Sequence, residues 1–262
     1  MGDLAVAGPV LYLHDGSFEG LLTAVFQAME AGMPVLGMES EQDREPGLFD
    51  DVRNVDPVRE QAAHVWRSIR DRCGADVASM AHAAFLSEIP GIGTRLWYHI
   101  SRILSGQDVS GGRDILDPHS LAVLQAAQKT RHEVHRFEGF VRFSEGPDGT
   151  LFSVIEPEHD IVALLVPHFR ARFPGERWMI ADAKRGNCAH CDGSEAVISQ
   201  IDPSLLPRDA QQAARLAAPS DARWQELWRA FFGAVNIRER RNLRQQDRLL
   251  PRKHRKYLPE IV

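Results

Sequence analysis

The stretch "IADAKRG", Ile180 to Gly186, sets Asp182 and Lys184 one residue apart at the end of an apolar run. If that run is a strand, alternation puts both side chains on one face. Carboxylates that hold a divalent ion, with a lysine steadying the attacked phosphate or water, are the parts needed for phosphoester cleavage. The additional carboxylates would come from "IEPEHD", where Glu156 and Asp160 close the preceding apolar segment. This reading makes Glu156, Asp160, Asp182 and Lys184 the candidate catalytic set, with Mg2+ or Mn2+ as its only cofactor. The plainer alternative is a surface ion pair or a turn clasp, which requires no cofactor.

Three further fragments have chemical potential. "CAHC" gives Cys188 and Cys191 half-site zinc spacing, but no second pair of cysteines or histidines follows, so no metal site is expected. The three cysteines leave an odd thiol, which suits a reducing compartment. "IPGIGTRLWYHI", Ile89 to Ile100, resembles the helix-hairpin-helix element of DNA repair proteins, with Pro90, Gly91 and Gly93 in place and Trp97 where a small residue is usual. In "HDGSFEG", Asp15, Ser17 and Glu19 stand at the positive end of a helix, where they could hold a ligand, and capping explains them at least as well. The pair Asp182 and Lys184 resembles half of a metal-dependent nuclease signature. That signature usually sets its acidic positions on neighbouring hairpin strands, whereas here a helix intervenes.

Charge is distributed unevenly. The chain of 262 residues has net charge -5, yet Asn236 to Tyr257 holds nine Arg and Lys against Glu239 and Asp247, a local +7 that leaves -12 on the remainder. Such asymmetry points to an anionic partner or to a tail lying on its own acidic body. On a helix, Arg240, Arg244 and Arg248 line one face, and guanidinium forks match phosphate oxygens. Arg238, Arg241, Arg252, Lys253, Arg255 and Lys256 extend the cluster, Tyr257 offers a stacking ring, and Lys184 and Arg185 add cations from the body. These twelve residues form the expected nucleic-acid contact set.

Positioning them requires a folded scaffold, which 44% hydrophobic and 26% charged residues indicate. No apolar run reaches the length of a membrane span, and the first twenty residues lack the pattern of a signal peptide, so a cytoplasmic protein is expected. "PVLYLHDGSFEGLLTAVFQAMEAGMPVLGM" predicts a β-α-β unit. Asp56–Pro57, Asp76 and Asp117–Pro118 open helices, the last running to about Thr130. "HEVHRFEGFVRFSEGPDGTLFSVIEP" predicts a β-hairpin around "EGPDGT". A helix follows in spite of Pro167, then a strand leaving through Gly186. Residues 202–220 read as a linker or lid, and Trp224, Leu227, Trp228, Phe231, Phe232 and Val235 as the apolar face of an anchoring helix.

Four blocks, "YLHDGSFEGLLTAVFQAME", "HRFEGFVRFSE", "IEPEHDIVALLVPHFRARFPGERWMIADAKRG" and "AVNIRERRNLRQQDRLLPRKHRKYLPE", resemble a bacterial family of DNA-metabolism and DNA-repair proteins. The resemblance implies partnership with a radical S-adenosylmethionine protein of DNA repair or modification, and kinship to domains fused to uracil-DNA-glycosylase-like domains. It supplies no catalytic residues. The chain lacks a three-cysteine cluster, so iron-sulfur chemistry would belong to the partner. The expectation is an α+β (mixed α/β) protein in two parts. Residues 1–134 would hold the β-α-β unit and a helical region, and residues 135–262 a small antiparallel sheet, from His135 to Cys191, with a basic C-terminal helical arm. The leading functional expectation is a DNA-binding repair accessory. A metal-dependent nuclease or phosphodiesterase and a protein-interaction adaptor are the alternatives.

Overall fold

The computed structural model describes residues 8–42, 51–219, 221–223, 226–227, 250 and 252–258, omitting the side chains of Arg252 and Lys253. The fold is α+β, in two compact units, Met1–Arg131 and His132–Val262.

In the first unit, β1 (Val10–His14), α1 (Phe18–Ala31) and β2 (Val35–Ser40) form the expected β-α-β unit. The Ser17 hydroxyl accepts the Gly20 N–H at 2.8 Å to start α1, and Gly32 ends it at φ 60°, a left-handed conformation that glycine adopts without a Cβ penalty. A third strand, β3 (Asp51–Val55), was not anticipated. It pairs parallel with the other side of β1, giving the order β2-β1-β3. Its sequence, DVRNV, has too few apolar residues to signal a strand, and pairing with buried β1 overrides that weak propensity. The helices α2 (Arg59–Cys73), α3 (Ala75–Phe85) and α4 (Ile92–Ser105) follow. Ala62, Val65 and Ile69 of α2, and Val77, Met80 and Ala84 of α3, are buried as the helical periodicity requires.

Helix α5 (Pro118–Phe140) starts at the expected Asp117 cap, whose carboxylate accepts the Ser120 N–H at 2.7 Å, but continues ten residues beyond Thr130. His135 to Phe140 therefore belong to a helix and not to the first hairpin arm. Glu133, Phe137 and Val141, four apart, are buried along one side of the chain, and that spacing decides for helix over alternation.

In the second unit, β4 (Ser144–Glu145), β5 (Leu151–Ile155), β6 (Arg177–Asp182), β7 (Asn187–Asp192) and β8 (Ala196–Gln200) make one sheet in sequence order. The expectation of an antiparallel sheet is corrected at its centre, because β5 and β6 pair in parallel. Helix α6 (Val162–Arg172) joins them, and a strand-helix-strand crossover brings the chain back in the same direction. The sheet also ends later than Cys191, since β7 turns back into β8. Phe137, Ile155, Leu165, Phe169, Trp178 and Ile180 make the core on one side of the sheet. The passage after Asp202 contains the short helix α7 (Ala210–Leu216), and α8 (Arg252–Arg255) is the described part of the basic segment.

A buried imidazole makes the first unit sensitive to pH. His99 is 1% exposed on α4, its Nδ1 lies 3.0 Å from the Ser120 hydroxyl, and burial lowers its pKa. Asp108 and Asp117 push in the opposite direction and Arg102 reinforces the burial effect. The native state therefore resists a proton that the unfolded chain accepts below about 6.5. Stability should be full above that pH and fall as the pH drops toward the lowered native value. Thermal melts of the wild type and His99→Gln between pH 7.5 and 5 check this, the variant being expected to lose part of the dependence.

Candidate functional site

At the carboxyl ends of the parallel pair β5 and β6, Ile155 lies opposite Asp182 in the register, and the Ala183 N–H donates to the Ile155 carbonyl at 2.8 Å. Glu156 and the 156–160 segment leave one strand where the Asp182–Gly186 turn leaves the other. The topology thus collects the four acidic and basic residues of the candidate catalytic set at one sheet end, but their bonding differs from that of a metal site.

Asp182 is 0% exposed. Its Oδ1 accepts the backbone N–H of Lys184 at 2.7 Å and of Arg185 at 3.3 Å, and its Oδ2 pairs with Arg185 Nη1 at 2.8 Å. Lys184 sits in the turn, exposed, and contributes its backbone N–H to Asp182. The strand ends at Asp182, so the expected alternation does not extend to Lys184. Glu156 pairs with Lys256, and Asp160 accepts a hydrogen bond from Asn187 Nδ2 at 2.7 Å. The three carboxylates are directed to three different partners, and no group of metal-ligating side chains occurs among the described residues.

Two residues absent from the expected set organise this end of the sheet. Glu133 of α5, 0% exposed, accepts the Glu158 N–H at 2.9 Å and the His159 N–H at 2.8 Å, one on each carboxylate oxygen. Arg185 donates to the carbonyls of Glu158 at 2.6 Å and Pro157 at 3.3 Å while it pairs with Asp182. The loop is held by its amides from one side and its carbonyls from the other, and charge-assisted bonds of this type are the strong ones. The signal for Glu133 was present in "TRHEVHRFEGFV", a helical stripe with a glutamate in its apolar line.

The described end of the basic segment is docked on the same unit. His254 and Leu258 are buried, and the Lys256 carbonyl accepts the Ala210 N–H at 2.8 Å. The Lys256 ammonium lies over the Tyr257 ring, 5.0 Å from its centre. Burial alone would lower the Lys256 pKa, but the hydrogen bond that its ammonium donates to Glu156 and the charges of Tyr257 and Glu156 outweigh it and raise the value. Burial raises the Tyr257 pKa too. Arg255 donates from Nε and Nη2 to the Leu250 carbonyl at 3.2 and 3.0 Å. Of the expected phosphate contacts, Lys256 and Arg185 are thus engaged by Glu156 and Asp182, while Lys184 projects outward. Arg238, Arg240, Arg241, Arg244 and Arg248 lie outside the described residues, as do most residues of the proposed anchoring helix. Two clefts adjoin this docked end, and both are lined by Arg142, Val154 and Tyr257.

Cys188 and Cys191 are free and point to opposite faces of β7, Cys188 against Val154 and Leu206 and Cys191 against the Trp178 side. Three residues of separation along a strand makes that outcome unavoidable and removes the zinc half-site. In the first unit, the "IPGIG" segment does join two helices, and Gly91 caps α4 at φ 76°. Gly93 faces β2, since a Cβ there would meet the Met38 carbonyl oxygen at 2.5 Å. The glycine is required for close approach of helix and strand. Gly93→Ala should therefore destabilise the first unit by roughly 1–3 kcal/mol through overpacking, read as a shift of its denaturation midpoint. No helix among the described residues is long and apolar enough to cross a membrane.

The class of protein defined by these features is a two-unit α+β chain whose second unit carries a clasped loop at the carboxyl end of a parallel strand pair. A family model described as a domain of unknown function, DUF4130, matches residues 94–260. The match covers more than half of the chain, which belongs to this family. It begins in α4 and includes nearly all of the second unit. No curated protein matches the chain.

Proposed function

We propose that the protein is a nucleic-acid-binding accessory of DNA repair, which positions DNA or a damaged nucleotide for a radical S-adenosylmethionine partner. The observation that carries the reading is the +7 charge gathered between Asn236 and Tyr257 on a chain of net charge -5, within the span that the family model matches. Residues on both sides of the arginine-rich stretch are fixed on the second unit. Asp221 Oδ1 accepts the Glu145 N–H at 3.1 Å, and residues 254–258 dock beside Glu156 and Ala210. Lys256 serves as part of that attachment through Glu156, so phosphate contact is assigned to Arg238, Arg240, Arg241, Arg244, Arg248, Arg252 and Lys253, together with the exposed Lys184. The resemblance noted above supplies the repair context and the partner.

A salt titration tests it. DNA binding should weaken steeply with salt, and replacing Arg240, Arg244 and Arg248 together by alanine should lower the slope of log K against log salt by up to about 2.7, roughly 0.9 for each phosphate contact on duplex DNA. An unchanged slope, or binding that ignores salt, would remove the reading. The nuclease alternative, with Mg2+ or Mn2+ at Glu156, Asp160 and Asp182, is weaker because Asp182 is enclosed with both oxygens engaged. Metal-dependent turnover of labelled DNA, abolished by Glu156→Gln, would reinstate it. The adaptor alternative is favoured instead if a protein partner co-purifies at high salt while DNA is not retarded at low salt.

A further inference from the structure

The side of a sheet exposes a row of unpaired N–H and C=O groups, and natural chains blunt such edges. In the first unit, Thr94 seals β2. Its Oγ1 accepts the Met38 N–H at 3.0 Å and donates to the Met38 carbonyl at 3.3 Å. The outer strand β3 is marked by Asp51 and Arg53, charges that discourage pairing. In the second unit, β4 has only two residues, and its Glu145 is occupied on both sides: the N–H donates to Asp221 and the carbonyl accepts the Ala218 N–H at 2.7 Å.

Among the described residues, strand β8 has none of these devices. Its sequence, AVISQ, contains no charge and no proline, and its register with β7 runs from Ala196 to Gln200 without a bulge. Val197 and Ile198 are 49% and 46% exposed. The direction of its backbone groups follows from the ladder. The Asp192 N–H donates to the Glu195 carbonyl at 3.2 Å, and the Ile201 N–H donates to the Gly186 carbonyl at 2.9 Å. In an antiparallel pair, hydrogen-bonded and non-bonded pairs alternate. Between those two bonded pairs, Val197 and Ser199 therefore bond to His190 and Cys188. Ala196, Ile198 and Gln200 turn their N–H and C=O groups outward, with no hydrogen-bond partner among the described residues.

We propose that β8 is a strand-addition site for an extended segment of a partner protein, one with alternating β-branched residues flanked by Lys or Arg. Main-chain bonds to Ala196, Ile198 and Gln200 supply affinity, and side chains beside Val197 and Ile198 supply selectivity. The choice of partner follows from charge. Asp192 and Glu195 stand at the start of the strand and Asp202 beyond its end, all exposed. Asp192 is held ionised, with its pKa lowered to about 2 by the backbone N–H groups of Glu195 and Ser194. A second copy paired antiparallel about Ile198 would satisfy the backbone but would bring the Asp192 and Glu195 end of each strand to the Asp202 end of the other, gathering like charges at both ends. A basic-flanked strand turns the same carboxylates into attraction.

The probe is a fluorescein-labelled peptide of alternating valine and threonine with two lysines at each end, compared by anisotropy with a twin whose lysines are replaced by glutamates. The full chain should bind the lysine peptide saturably and at least about tenfold more tightly than its twin, the scale of one charged contact at a partly exposed edge. Ile198→Pro deletes an outward N–H that makes no bond among the described residues, and should weaken binding about tenfold or more while the circular dichroism is unchanged. If that variant fails to fold, Glu195→Lys, at an exposed position, should narrow the preference for the lysine peptide. Equal affinity for the two peptides, absence of saturable binding, or indifference to both substitutions overturns the proposal. Concentration-dependent dimers dissolved by Ile198→Pro would overturn it also, in favour of a second copy.

Discussion

Asp182→Ala should cost the second unit about 3–5 kcal/mol, the range for removing one partner of a buried ion pair. The side chain is fully enclosed, and its loss would remove the 2.8 Å pairing with the Arg185 guanidinium, itself 10% exposed. The turn also loses the acceptor for the Lys184 and Arg185 N–H groups. For a unit of this size the melting temperature should fall by on the order of 10 °C, measured by calorimetry or by near-ultraviolet circular dichroism. Asp182→Asn should recover part of the loss, since an amide oxygen can still accept from the turn. An unchanged melting temperature for Asp182→Ala would mean that the carboxylate is not structurally engaged and would reopen its assignment as a metal ligand. The consequence for functional tests is direct. Loss of activity in Asp182→Ala would report unfolding, so the catalytic alternative must be judged on Glu156→Gln and Lys184→Ala, whose side chains are not buried.

Glu133→Ala should have the second-largest effect, about 2–4 kcal/mol, because the buried His159 N–H and the part-buried Glu158 N–H lose charged acceptors and a buried unsatisfied donor costs roughly 1–3 kcal/mol. Native-state hydrogen exchange provides a local reading. The amides of Glu158 and His159 should be protected in the wild type and exchange faster in the variant by a larger factor than the core amides of β6. Glu133→Gln retains an acceptor oxygen for one amide and should fall between the two. Uniform loss of protection over the whole unit would instead indicate that α5 contributes through packing and not through this clasp. Since Glu156 begins the loop and Lys256 docks on it, the same variant should loosen the attachment of the C-terminal segment.

Much of the molecule was legible because local rules govern it. The β-α-β start, the caps at Ser17 and Asp117 and the buried faces of α2 and α3 follow from periodicity and from side chains that bond their own backbone. The segment from His135 to Phe140 shows where local rules conflict. Its apolar residues fit both an alternating and a helical pattern, and burial of Glu133, Phe137 and Val141 along one line resolved the ambiguity. Strand β3 was not legible, since its residues have weak strand propensity and depend on β1 for pairing. The parallel pairing of β5 with β6 could have been inferred from the helix between them, which is long enough for a crossover.

For the candidate site the division is sharper. Composition indicated a folded chain, and the order of charges along it determined that its cations gather between Asn236 and Tyr257, because charge and hydrophobicity are sums over the residues counted. Spacing by itself determined that Cys188 and Cys191 cannot share a face if their segment is a strand. Only the tertiary structure decided which carboxylate meets which cation: Asp182 with Arg185, Glu156 with Lys256, and Glu133 with the backbone of a loop 25 residues further along. Ion pairs and buried hydrogen bonds act over a few ångströms, and the chain brings those atoms together through strand register and helix packing. Sequence separation carries no information about that distance until the fold is known.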